Sequence, residues 1–497
     1  MRTRMLRTVA IAAVVAGATA VRAQVSQPAQ PPPSMKAVVL KGKAPVSDDV
    51  LRVKLPRPAE ADLANGLHLI VLEDRRVPRV SFTLLIPGAG GYYDPADMPG
   101  LAAATAAVMR EGTATRSSAQ ISEQLETIAA SLNVSAGVST SEASVSGTSL
   151  TEHVATLFDL FADVLLEPSF PEDELARYTQ RTKAGLIQQR SSPGFLGSEM
   201  MAKVMYGDHP AGRVSVTAGT LEKLTPVALR EVHRTRFVPD HAVLAISGDI
   251  SLADARKLVE STLAGWKKAG VPEPSVVEPP DPGKSRVSFV ARANSVQTNL
   301  LVAAPGIQRT HADYDVLEVM NKVIGGGPTG RLFMILREEK GYTYGAYSGL
   351  NATRWRGVWQ ASTQVRTDVT EPALRDLLAE VVRLREQQVP DKELRDQKRS
   401  LIANFALSLE NPQQMMSYYI TSWRYDLPAD YWDKYPERVN AVTRAQIQAA
   451  AKKYLDPARL QIVAVGDPDK VGKILTGFGP VETYDTEGRR ITSTSMP

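Results

Sequence analysis

The stretch from Gly325 to Tyr347, GGGPTGRLFMILREEKGYTYGAY, combines a backbone suited to close approach with side chains able to do chemistry. Three glycines and a proline open it. A helical run follows, with Leu332, Ile335 and Leu336 at the i, i+3, i+4 spacing of one helix face. Lys340 and Gly341 close the run, a cation in the last turn and then the residue that tolerates positive φ. An aromatic strand, 342–347, comes next. Arg337 thus falls near a helix end and Tyr344 on the strand behind it, where a guanidinium and a phenol could face one cavity and donate to a carbonyl or an oxyanion. Each also has a plainer reading: Arg337 as a C-terminal helix cation paired with Glu338, Tyr344 as a buried strand aromatic. The glycines are no phosphate loop. They lack the Gly-Lys-Ser/Thr ending and follow a helix rather than a strand, which leaves a tight turn and a close approach of chains.

The histidines, His68, His153, His209, His233, His241 and His311, offer no metal pattern. No two stand three to five residues apart, and neither His-x-x-Glu-His nor His-Glu-x-x-His occurs. His209-Pro210 reads as a structural histidine in a surface turn.

Taken in order, Gly-Gly-Gly, Arg-Leu-Phe, Leu-Arg-Glu, Lys-Gly and Tyr resemble the C-terminal half of the pitrilysin-like zinc peptidases. These are the inverted zincins, which include the mitochondrial processing peptidases and their bacterial relatives. The resemblance implies an α+β fold of two similar halves, each an antiparallel-rich sheet packed with helices, together forming one side of a clamshell. It implies that Arg337 and Tyr344 reach across a closed chamber to substrate at a zinc site. It also says where zinc ligands belong. In catalytic members the helix corresponding to 98–113 carries His-x-x-Glu-His between Gly-Leu-Ala and Gly-Thr flanks; the flanks are present here, but the three positions are Ala103, Ala106 and Ala107. A methyl group has no lone pair, so this helix can neither bind zinc nor act as a general base. The third ligand, a Glu on a later helix, has no counterpart in 182–187, which contains no acid. The resemblance therefore implies a metal-free subunit with no cofactor of its own. Zinc would come from a homologous His-x-x-Glu-His partner in a heterodimer, and Arg337 and Tyr344 would act in trans on peptide substrates. The alternative is a scaffold or peptide-binding subunit with no catalytic role. A peptidase active alone needs a metal site that the sequence does not display.

The strands and helices that would carry these residues are legible around them. Asn65-Gly66 signals a hairpin, with His68–Leu72 and Val80–Ile86 as its strands. Residues 131–150 alternate small and apolar side chains and read as a second hairpin. It is either a substrate-pairing edge, as the family implies, or an ordinary sheet surface. A helix is expected over 172–190. A repeat supports two halves: Thr225 leads a helix, an apolar strand and Gly248-Asp249, and Thr443 leads the same series to Gly466-Asp467 at the same spacing. These marks divide the chain into a signal peptide (1–23), a Pro/Gln-rich disordered lead (24–58), an N-terminal peptidase-like domain (59–270), a Pro-rich linker (271–285), a C-terminal peptidase-like domain (286–479) and a disordered tail (480–497).

The charge balance agrees with export and excludes some partners. Arg2, Arg4 and Arg7 precede a short apolar run, with a cleavage pattern at Ala23. Removing 1–23 takes away four arginines, so the formal +4 falls to zero. That argues against a nucleic-acid or anionic-membrane partner, and no stable membrane span is expected once the signal is gone. The chain has no cysteine, which excludes disulfides and a thiolate zinc site. An exported, cysteine-free chain fits the periplasm.

Overall fold

The computed structural model describes residues 50–491. The expected signal peptide, most of the lead (24–49) and the last residues of the tail (492–497) lie outside the described residues. The first half comprises β1 (Ala59–Asp62), β2 (His68–Glu73), β3 (Arg79–Pro87), α1 (Leu101–Met109), α2 (Ser118–Thr127), β4 (Ser131–Ala136), β5 (Glu142–Leu150), α3 (Val154–Leu166), α4 (Glu172–Arg190), α5 (Pro193–Tyr206), α6 (Ala218–Lys223), α7 (Pro226–Arg236), β6 (Val243–Gly248) and α8 (Leu252–Thr262). The second comprises β7 (Arg286–Ala291), β8 (Gln297–Pro305), α9 (Tyr314–Ile324), α10 (Arg331–Phe333, continued by a π-helical turn Met334–Glu339), β9 (Thr343–Asn351), β10 (Val358–Arg366), α11 (Thr370–Glu386), α12 (Asp391–Ser408), α13 (Pro412–Arg424), α14 (Tyr435–Ala441), α15 (Arg444–Tyr454), β11 (Gln461–Gly466), α16 (Pro468–Leu475) and β12 (Val481–Tyr484).

The two six-stranded sheets have matching orders, β1-β2-β6-β3-β5-β4 and β12-β7-β11-β8-β10-β9. The expected α+β fold of two similar halves is what the chain adopts. β6 and β11, the strands of the repeat, are buried along their whole length at the centre of each sheet. They are apolar on both faces because both faces are covered. The helices before them start alike: Thr225 caps α7 by accepting from the Ala228 amide, and Thr443 caps α15 within a capping box with Gln446.

The covering helices are exchanged between halves. One face of the first sheet packs on its own helices, including Phe158 and Phe161 of α3. Its other face, with Ile70, Leu72, Leu85 and Val243, packs on Met415, Met416 and Tyr419 of α13 from the second half. Reciprocally, Leu301, Ala303, Val463 and Val465 of the second sheet pack on Leu196, Met200, Met201 and Met205 of α5 from the first half. Each sheet is thus completed by the other half's helix.

Three expectations need correction. Asn65-Gly66 does turn a hairpin, but it joins β1 to β2; β2 and β3 are separated by β6, which pairs with both. A local turn signal fixes the turn and not which later strand will insert. The end of the lead expected to be disordered (24–58) is anchored: Leu55 is buried, its amide donates to Asp433 at 2.9 Å, Arg57 pairs with Asp433, and Tyr419 donates to the Pro56 carbonyl. The tail expected to be disordered from 480 instead supplies β12, which pairs in parallel with β7. Beyond it Arg190 donates to the Thr486 carbonyl at 3.1 Å and Lys203 to that of Gly488 at 3.1 Å. Both segments are held largely through backbone groups, which polar composition does not reveal.

Candidate functional site

In the second half the glycine turn clasps a sheet edge. β9 is the last strand of its sheet, and its Ser348 amide donates to the Gly325 carbonyl at 2.8 Å. A Cβ on Gly325 would lie 2.7 Å from that amide nitrogen, so glycine is required by close approach. The chain then enters α10 and its π-helical turn, where the Lys340 amide bonds the Ile335 carbonyl at 2.9 Å. Gly341 ends the turn at φ +63°, as the sequence signal implies.

Arg337 lies on this π turn. It pairs with Glu338 and its guanidinium sits 5.0 Å from the centre of the Phe333 ring. Its plainer reading is therefore met, but the pair is solvent-exposed and such pairs contribute only about 0–1 kcal/mol, so it is readily exchanged for another acceptor. Tyr344 is not the buried aromatic of the plainer reading: it is 91 % exposed. Its exposure has a local cause. The β9–β10 register shifts here, with Thr343 opposite Val365 but Ala346 opposite Thr363, so one extra residue bulges from β9. A bulge re-aims the side chain it carries. The Gly345 amide donates to Thr343 Oγ1 at 3.1 Å and its carbonyl accepts from Thr363 Oγ1 at 3.0 Å, which pins the bulge.

In the first half α1 is well anchored. The Asp94 carboxylate accepts from the Gly100 amide at 2.9 Å and the Ala102 amide at 3.1 Å, and pairs with Arg236 at 3.1 Å. Burial nonetheless pushes the Asp94 carboxyl above its usual range, against those donors. Ala106 is fully buried, while Ala103 and Ala107 are half-buried on one face with Arg110. These positions do not fit zinc. Three methyls supply no donor, and Arg110 brings a positive charge to the same face. On α4, opposite α1, Arg181 lies 3.8 Å from Glu111. Among the described residues no group of three His, Asp or Glu side chains is placed to hold a metal ion. His209 is structural: Nε2 lies 2.8 Å from the Val277 carbonyl of the linker and Nδ1 accepts from the Ala211 amide at 3.2 Å.

Arg337 and Tyr344 belong to the second half beside β9, and the three alanines to the first half beside β4. A cleft of about 420 Å³ between the halves is lined by Glu142, Met205, Tyr206, Trp355 and Arg424 among others, and includes neither Arg337 nor Tyr344.

Two family models match the chain. Residues 69–214 match the insulinase family, peptidase family M16, and residues 223–401 match the M16 inactive domain. The chain belongs to the M16 peptidases. Its M16 relatives include an uncharacterised zinc protease, YmxG, of Bacillus subtilis, 24 % identical over 357 residues that cover 71 % of this chain and 85 % of that protein. A Helicobacter pylori relative named as a non-peptidase homolog is 20 % identical over 403 residues, covering 81 % and 92 %. Among solved structures, an M16 inactive domain from Pseudomonas fluorescens superposes with a TM-score of 0.76 at 29 % identity, over 83 % of this chain and 98 % of that one. A protease from Helicobacter pylori gives the same TM-score at 15 % identity, over 83 % and 100 %, and shares the fold. This M16 chain is thus a peptidase-family member without the family's zinc-ligand set.

No motif or spacing in the chain marks the buried polar cluster behind the second sheet. Arg309 stacks 3.7 Å from the Tyr314 ring and donates to Tyr431 at 3.1 Å, while Glu318 accepts from Tyr435 at 3.1 Å. The residues come from two separated segments, 309–318 and 431–435, and only their folding together marks them.

Proposed function

We propose that the protein is the zinc-free subunit of a heterodimeric M16 peptidase, exported to the periplasm, and that it supplies Arg337 and Tyr344 to a zinc site on a partner subunit. There they orient the substrate backbone and donate hydrogen bonds to the tetrahedral oxyanion. One observation carries this reading: Tyr344 is held out in solvent on a pinned bulge, and Arg337 stands on the turn before it, in a chain whose own ligand positions are alanines. Nothing in the packing of the second half requires an exposed tyrosine there. A scaffold subunit, the alternative, has no use for the pair.

The test is reconstitution with a His-x-x-Glu-His M16 subunit. Arg337→Ala and Tyr344→Phe should each lower kcat of the mixed enzyme by about 10²–10³, the usual effect of losing one oxyanion donor, without separating the subunits. Full activity in both variants would leave the scaffold reading.

A further inference from the structure

We infer that Arg110 makes the edge of the first sheet selective for extended peptides that carry a side-chain carboxylate. The inference rests on the reading that the chain handles peptides and adds a specificity-determining residue to it. β4 is the last strand of its sheet, paired on one side only, with β5. The Leu132 carbonyl is turned away from that partner and accepts from Arg110 Nη1 at 2.9 Å. Alternation along an antiparallel strand then turns the amide and carbonyl of Val134 to the same open side. A peptide adding to β4 would bond to Val134 and reach Leu132 next, where Arg110 already stands.

Arg110 is half-buried, and no carboxylate of the described residues pairs with it. A guanidinium has five N–H donors, and a carbonyl bond uses one. Its helical neighbours Ala103 and Ala107 are half-buried methyls, so no long side chain of that face competes for the space. In the free protein Arg110 guards the edge, as charged groups on exposed strand edges do. An incoming strand with Asp or Glu beside Leu132 offers the guanidinium a charged acceptor, and the released Leu132 carbonyl takes the peptide N–H. A neutral strand displaces the guard and offers nothing in return.

Fluorescence anisotropy on the full chain tests this with acetylated, amidated extended peptides identical except for Glu, Gln or Lys at the central position. The Glu peptide should bind about tenfold tighter than the Gln peptide, the worth of one charge-assisted hydrogen bond. R110Q should abolish the difference, R110K should retain part of it, and R110E should favour the Lys peptide. Equal affinity for Glu and Gln peptides, a Glu preference that survives R110Q, or no binding of any peptide overturns the inference. So does a preference that follows a free C-terminal carboxylate on the Gln peptide. Because the readout is binding, it separates from the oxyanion test: Tyr344→Phe should leave the Glu preference unchanged while lowering mixed-enzyme activity.

Discussion

Single residues carry two kinds of constraint here, steric and electrostatic. At Gly325 the constraint is steric, because a methyl group would press on the Ser348 amide at 2.7 Å. Gly325→Ala should destabilise by about 1–3 kcal/mol, the usual cost of overpacking, read as a lower urea midpoint with an unchanged slope. At Glu318 the constraint is electrostatic. Burial pushes its carboxyl up to about 7, with Asp315 adding to the rise and Tyr435, Arg309 and Arg438 opposing it. A carboxyl raised on folding contributes stability that is complete below its unfolded value and is lost as pH rises through about 7. Glu318→Gln keeps an acceptor for Tyr435 and removes the titration. It should therefore raise stability at pH 8, by up to about 3 kcal/mol, with the gain shrinking toward pH 5. A difference that does not vary with pH in thermal melts would contradict this. The sequence named Gly325 by its type, whereas nothing in the sequence around Glu318 distinguishes it from an exposed helix acid. Its burial is decided by Tyr431 and Tyr435, which arrive from a distant segment to pack on the helix that carries Tyr314 and Glu318.

At the scale of elements, β9 and the π turn before it form the presenting device for Tyr344. The helix, its Gly341 stop and the aromatic strand were all legible from spacing and residue type. The bulge was not, because it depends on how β9 registers with β10, and register is a property of two strands. Thr343→Val removes the acceptor of the Gly345 amide. It should lower kcat of the reconstituted enzyme more than it raises KM, with a stability loss of about 1 kcal/mol, while Thr343→Ser restores kcat. If kcat is unchanged while stability falls, the threonine serves the sheet alone. α1 shows the opposite balance. Its flanks and its Ala103, Ala106 and Ala107 were readable as a helix emptied of ligands, and only the structure places Arg110 of that helix on the Leu132 carbonyl.

Over the whole molecule, the halves are interlocked. α5 covers the second sheet, α13 covers the first, the segment before β1 is tied to Asp433 and Tyr419, and the segment after β12 is tied to Arg190 and Lys203. Neither half can bury its core alone. Residues 50–283 expressed by themselves should aggregate, since Leu196, Met200, Met201 and Met205 would lose the sheet they cover. Co-expression with 284–491 should restore a soluble complex. The intact chain should melt in one cooperative transition by calorimetry, and two resolved transitions would show that the halves are independent after all.

Residue types and spacings alone establish the α+β class, the duplicated architecture, the loss of the zinc ligands and the identity of the candidate Arg–Tyr pair. Each of these is written locally, in residue type and spacing along one segment. Folding was needed to show which strand lies between which, that the halves exchange helices, that Tyr344 projects from a bulge and that Arg110 stands on an open edge. Those facts depend on contacts between segments far apart in the chain, and a pattern read along one segment contains no information about its partner.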